Sequence, residues 1–168
     1  DRVRLELDCV VETRPSQNVS GELPGSSDTG GVIITGHHDS VSGTAGAEDN
    51  AAGVGVALAL AELFAGREFE KPMRFASFGT EEQLSQGAFA FVADPENRAR
   101  DIDMVLNTDG QGCWTGVNEV YLTGSESLHE YMGEMMRKCG WSGTIRDEPD
   151  GFSDHFPFII EDVPAAWF

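Results

Sequence analysis

The sequence predicts an α/β fold, a three-layer sandwich with helices covering a mostly parallel, mixed central sheet. Three observations carry that expectation. Strand-like and helix-like segments alternate along the chain. Residues 31–35 form a short apolar run, as expected of a strand covered on both faces. Polar residues able to bind metal follow directly on three of the expected strands, where open α/β sheets bind their ligands.

The elements follow in order. Val3, Leu5, Leu7, Cys9 and Val11 alternate with charged residues, so residues 3–11 read as a half-buried strand. Residues 12–30 are rich in Ser, Gly, Pro and Asn and read as loop, as do residues 36–48 on either side of the strand at 31–35. A helix is expected over 50–65, where Gly53 and Gly55 weaken the propensity and imply close packing. Residues 73–78 are the next strand and 83–93 the next helix. Strands at 102–107 and 119–123 precede a helix over 125–139, with Leu128, Met132, Met135 and Met136 on one side. A short helix at 154–161 and a strand at 164–168 complete the series. No repeat or interdomain linker is visible, so residues 1–168 read as a single domain.

Composition narrows the function. The net charge of -18 on 168 residues argues against nucleic acid and anionic membranes as partners, and favours cations and free amino termini. No apolar stretch is long enough to span a bilayer, and no secretory signal is visible. The three cysteines, Cys9, Cys113 and Cys139, form no CxxC pair, so a thiolate metal site is not indicated.

Five motifs carry the chemistry: His37-His38-Asp39, Glu48-Asp49-Asn50, Glu81-Glu82, Asn107-Thr108-Asp109 and Ser153-Asp154-His155. Each has a structural explanation when taken alone. Asp49 or Asn50 can cap the helix that follows. Thr80 and Gln83 resemble a capping box. Asp109-Gly110 is a turn signal, and Ser153 or Asp154 can cap a short helix. Such explanations do not require complementary ligands to recur at strand ends. Together the motifs supply imidazoles and enough carboxylates for two metal ions and a base. A two-metal hydrolytic site needs a bridging carboxylate and terminal N or O ligands. A further carboxylate must take the proton of the attacking water, a division that the adjacent Glu81 and Glu82 suit. Asp39 is well spaced to orient the His37 ring through its other nitrogen.

The order GHHDSV, AEDNAAGV, FGTEE, NTDG and SDHFPF resembles the co-catalytic di-zinc aminopeptidase family of clan MH, which includes bacterial leucyl aminopeptidases and aminopeptidase Y. The resemblance spans residues 16–168. It implies a phosphorylase/hydrolase-like zinc exopeptidase fold and a peptide substrate with a free N-terminus. It also implies two Zn2+ ions, for which Co or Mn can substitute at mixed His and carboxylate ligands. Asp49 would bridge the metals, His37 and Asp109 would complete one site, and Glu82 and His155 the other. Glu81 would be the general base and Asp39 the partner of His37, with a cis peptide between Asp49 and Asn50. His38 stands where the family often has Tyr and is not a ligand.

Glutaminyl cyclase, carboxypeptidase or dipeptidase chemistry on the same scaffold is the alternative, as is a non-catalytic binding module. The family pattern also has helices before the first strand and after the last that this sequence lacks, an expectation of truncation at both ends. Secretion or a periplasmic location is implied by the resemblance alone.

Overall fold

Seven strands form one mixed sheet in the computed structural model, which describes residues 3–168. They are β1 (Val19–Leu23), β2 (Val32–His37), β3 (Met73–Phe78), β4 (Met104–Asn107), β5 (Glu119–Thr123), β6 (Thr144–Arg146) and β7 (Ala165–Trp167). Their spatial order is β1-β3-β2-β4-β7-β5-β6. β3, β2, β4 and β7 run parallel. β1 is antiparallel to β3, and β5 is antiparallel to β7. The expected mixed, mostly parallel sheet is therefore present.

The helices are α1 (Ala52–Phe64), α2 (Gln86–Ala93), α3 (Glu126–Lys138) and α4 (Phe156–Ile160). Alternation along β4 separates the two cores. Val105 joins Ile33, Phe78, Phe91 and Phe158 beneath α2 and α4. Leu106, one residue on, joins Val120, Leu122, Ala166 and Met136 on the other face, beneath α3. Met136 is buried, and Met132 and Leu128 pack against the same cluster, as the helical spacing of these residues predicts.

Phe158 is fully buried, with its ring centroid 6.3 Å from Phe78 and 6.1 Å from Phe91. Phe158→Ala is expected to cost about 3–5 kcal/mol, through lost burial plus the cavity left behind. Urea unfolding at constant m-value measures it, and a loss below about 1 kcal/mol would show that this core can collapse around the gap.

Several expectations are corrected. Residues 3–11 form no strand, and Val3, Leu5, Leu7 and Val11 are all strongly exposed. Alternation supplies an apolar face, but a strand also needs a ladder partner, and this segment pairs with none. β1 lies inside the expected loop. It is a polar edge strand whose residues are mostly exposed, so it has no hydrophobic signature. β6 is three residues long and was equally silent. The expected helix at 83–93 is broken at Leu84 and Ser85, both at positive φ, into a short 3-10 turn and α2. Thr80 does not cap that turn; its φ is 62° and its side chain makes no capping bond. Only one of the two α1 glycines is explained by packing. A Cβ on Gly53 would meet Asn50 Oδ1 and the Thr108 carbonyl at 2.3 Å, whereas Gly55 faces open space.

Among the described residues no helix is long and apolar enough to cross a membrane, and Cys9, Cys113 and Cys139 are free.

Candidate metal centre

His37 ends β2, Glu81 and Glu82 follow β3, and Asp109 follows β4, so three neighbouring parallel strands deliver the site at their carboxyl ends. The chain leaves β2 toward β3 on one side and leaves β4 toward β5 on the other, so the crevice opens between β2 and β4.

Asp49 is brought in by a turn over Ala47–Ala51, and its peptide bond to Asn50 is cis, as the resemblance implied. Asn50 is buried and fixes this turn from both sides. Its Oδ1 accepts from Gly53 N at 3.0 Å and its Nδ2 donates to the Thr108 carbonyl at 2.8 Å. The capping explanation therefore holds for Asn50, while Asp49, with half of its side chain exposed, is left free to act.

The centre forms around the His37 imidazole. Nε2 lies 3.0 Å from Asp49 Oδ1, 3.2 Å from Asp109 Oδ1 and 3.8 Å from Glu81 Oε2. Nδ1 is 3.0 Å from the Asp39 carbonyl oxygen and 3.5 Å from its carboxylate, so the main chain of Asp39 takes the stronger contact. Asp109 is held in turn by a buried relay. Thr35 Oγ1 donates to Asn107 Oδ1 at 2.7 Å, Asn107 Nδ2 donates to Ser153 Oγ, and Ser153 Oγ donates to Asp109 Oδ2, the last two at 2.6 Å. That leaves Asp109 Oδ1 for the centre. Thr35, Asn107 and Ser153 were missed as supporting residues, although two of them sit inside quoted motifs.

The donor set fits a divalent cation. One imidazole nitrogen and one oxygen each from Asp49 and Asp109 lie within 4.8 Å of one another, and mixed N and O donors suit zinc. Burial lowers the His37 pKa, but the hydrogen bond and charge of Asp109, with Glu81 and Asp154, outweigh it and raise it to about 10. Burial is also the main cause that raises Glu81 to about 7.

The other expected ligands do not complete a second such group among the described residues. Glu82 Oε1 instead accepts from Val41 N at 2.8 Å. His155 is buried, and its ring stacks on Trp167 at 5.2 Å, with Tyr121 stacked on Trp167 at 5.0 Å. Neither nitrogen of His155 makes a well-formed hydrogen bond, only a loose approach to the Asp150 main chain, and burial is the chief cause that lowers its pKa to about 4. Asp154 beside it is fully buried with both oxygens unpartnered, and burial pushes its carboxyl well above the usual range. His38 turns outward to Ser77 Oγ at 2.9 Å. His129 lies away from the centre, with Nδ1 3.0 Å from the Ser125 carbonyl and Nε2 3.1 Å from both the Leu122 carbonyl and Asp147 Oδ1.

A cleft of about 300 Å³ opens over the centre, lined by Glu48, Asp49, Glu81, Glu82, Asp109, Gly110, Phe152 and Trp167. Phe152 borders this cleft with most of its side chain exposed.

An α/β sheet with carboxylates and one imidazole gathered at its strand ends is an arrangement suited to metal-dependent hydrolysis. The chain belongs to peptidase family M28, whose pattern matches residues 18–168. Aminopeptidase YwaD of Bacillus subtilis (strain 168) is 29% identical over 144 residues, 82% of this chain and 31% of that protein. Leupeptin-inactivating enzyme 1 of Streptomyces exfoliatus is 32% identical over 153 residues, 89% of this chain and 34% of that one. BSAP, a zinc aminopeptidase from Bacillus subtilis, superimposes with a TM-score of 0.79 at 28% identity, over 91% of this chain and 39% of that structure. The chain spans about a third of the length of the two relatives compared by sequence.

Proposed function

We propose that the chain carries the catalytic domain of a zinc-dependent aminopeptidase that removes residues from the free N-terminus of peptides. The observation that supports it most is the convergence of His37 Nε2, Asp49 Oδ1 and Asp109 Oδ1, with the Glu81 carboxylate 3.8 Å from the imidazole. In this reading His37, Asp49 and Asp109 would hold one zinc. Asp49 would also serve a second, together with Glu82, which would have to present an oxygen to it. The place of His155 in that second site rests on the resemblance alone.

Bound zinc supplies Lewis-acid polarisation of the scissile carbonyl and lowers the pKa of water toward neutrality. The residues of the chain do the rest. Glu81, whose carboxylate borders the three ligand atoms, is placed to accept a proton from water and return it to the leaving amine. Glu48 and Glu82 line the cleft and give it a negative field that attracts the ammonium of a free N-terminus. Beside Asp109 a pocket of about 310 Å³, lined on one side by Tyr121, Trp141, Trp167 and Phe168 and on the other by glycines and polar residues such as Gln111 and Asn118, offers room for a bulky first side chain.

Elemental analysis paired with hydrolysis of leucine p-nitroanilide tests the reading. Two zinc ions per chain and activity that chelation removes and zinc restores are expected. Equal cleavage of N-terminally acetylated and free peptides would overturn the aminopeptidase assignment, and a folded protein that takes up no metal would overturn the metallopeptidase assignment.

A further inference from the structure

We infer that residues 39–41 form a positioning clamp that sets both glutamates of the centre through the main chain, a role that rests on the peptidase reading for its catalytic consequence. The turn Glu81–Gln83 cannot orient itself. Thr80, which precedes it, is at φ 62°, and its hydroxyl donates back to the Gly79 carbonyl at 2.5 Å instead of capping the turn. The first amides of the turn are taken by another loop. Asp39 Oδ1 accepts from Glu81 N at 3.0 Å, and Asp39 Oδ2 accepts from Glu82 N at 3.3 Å. Two residues on, Val41 N donates to Glu82 Oε1 at 2.8 Å.

The Asp39 carboxylate therefore has a task separate from His37, whose Nδ1 is met more closely by the Asp39 carbonyl. One short stretch fixes the imidazole with a carbonyl, the glutamate backbones with a carboxylate, and the Glu82 side chain with an amide. Glutamate carboxylates sit on flexible side chains, and a site of this kind needs its groups held within about 0.5 Å. With Oε1 engaged by Val41, Oε2 is the Glu82 oxygen left for a cation. Ser85 Oγ, donating to Glu81 Oε1 at 3.3 Å, supports the neighbouring carboxylate from the other side.

The test uses Asp39→Ala, Asp39→Asn, Val41→Ala and Val41→Pro. Amide hydrogen exchange is read in zinc-free protein, zinc affinity by calorimetry, and kcat and KM on leucine p-nitroanilide. Asp39→Ala is expected to remove protection at both Glu81 and Glu82 amides and to lower kcat about 10–100-fold with KM little changed. Asp39→Asn keeps one acceptor oxygen and should keep protection at one amide, which preserves the test if the alanine variant fails to fold. Val41→Pro deletes the donor and should weaken zinc binding about 10–100-fold relative to Val41→Ala, which retains it. Unchanged exchange at Glu81 and Glu82 in Asp39→Ala would overturn the clamp, as would equal zinc affinity in the two Val41 variants. If wild type binds zinc yet hydrolyses no peptide, the peptidase reading falls, and the exchange and zinc comparisons still decide the clamp.

Discussion

Glu81→Gln is expected to lower kcat about 10²–10⁴-fold while the protein keeps its zinc, the range over which a positioned acid–base group contributes. The separation of effects follows from where the carboxylate stands. Glu81 Oε2 is 3.8 Å from His37 Nε2, farther than the Asp49 and Asp109 oxygens, so it borders the ligand set rather than belonging to it. Glutamine preserves its length and its bond from Ser85 Oγ but cannot accept a proton from water. Burial and the neighbouring carboxylates raise the Glu81 pKa, with the charge of His37 opposing them. The amide should therefore fit at least as well as the carboxylate, and thermal stability should not fall. Kinetics with leucine p-nitroanilide, alongside metal analysis of the same sample, give the result. A variant that loses zinc together with activity would place Glu81 among the ligands instead.

What the sequence made legible is the frame of this site, and what it concealed is the side-chain geometry. The parallel strands β2, β3 and β4 are marked by apolar residues and by the polar residues that follow them, so the positions of His37, Glu81 and Asp109 at strand ends could be read directly. β1 could not, because a polar edge strand lacks a buried face to impose a pattern. The tail at 3–11 has that pattern without a partner, and is exposed. Helix signals also misled near the centre. The Thr80 and Gln83 pair matched a capping box, yet Thr80, Leu84 and Ser85 all take positive φ and leave only a 3-10 turn. Tertiary contacts with Asp39 decide that segment, and one-dimensional spacing does not report them. The same limit applies to Glu82 and His155. The Val41 amide on Glu82 Oε1 and the Trp167 ring against His155 orient those side chains, and motif order does not report such contacts.

Zinc is expected to compete with protons for this centre, so its affinity should climb by about one log unit per pH unit for each proton displaced. His37 opposes the metal most. Burial lowers its pKa, but Asp109, Glu81 and Asp154 outweigh that and raise it from 6.5 to about 10, so at neutral pH Nε2 and Nδ1 both carry protons. A ligating imidazole must be neutral, and the proton leaves as zinc enters. The metal-free protein should show the opposite trend in stability. A histidine whose folded pKa exceeds its unfolded value contributes stability that is complete below 6.5 and lost as pH rises through about 10. Glu81 acts in the same sense, because its folded pKa is raised from 4.5 to about 7 and its protonated form is the one the fold favours. Its contribution is complete below 4.5 and lost as pH rises through about 7. Chelated protein should therefore lose Tm between about pH 5 and pH 9, while saturating zinc should flatten or reverse the decline. Thermal unfolding with chelator or with excess zinc across that range, together with zinc titrations at each pH, checks both halves. Zinc affinity that stays flat with pH, with a chelated Tm that rises toward pH 9, would show that the carboxylates around His37 do not hold a proton in place of the metal.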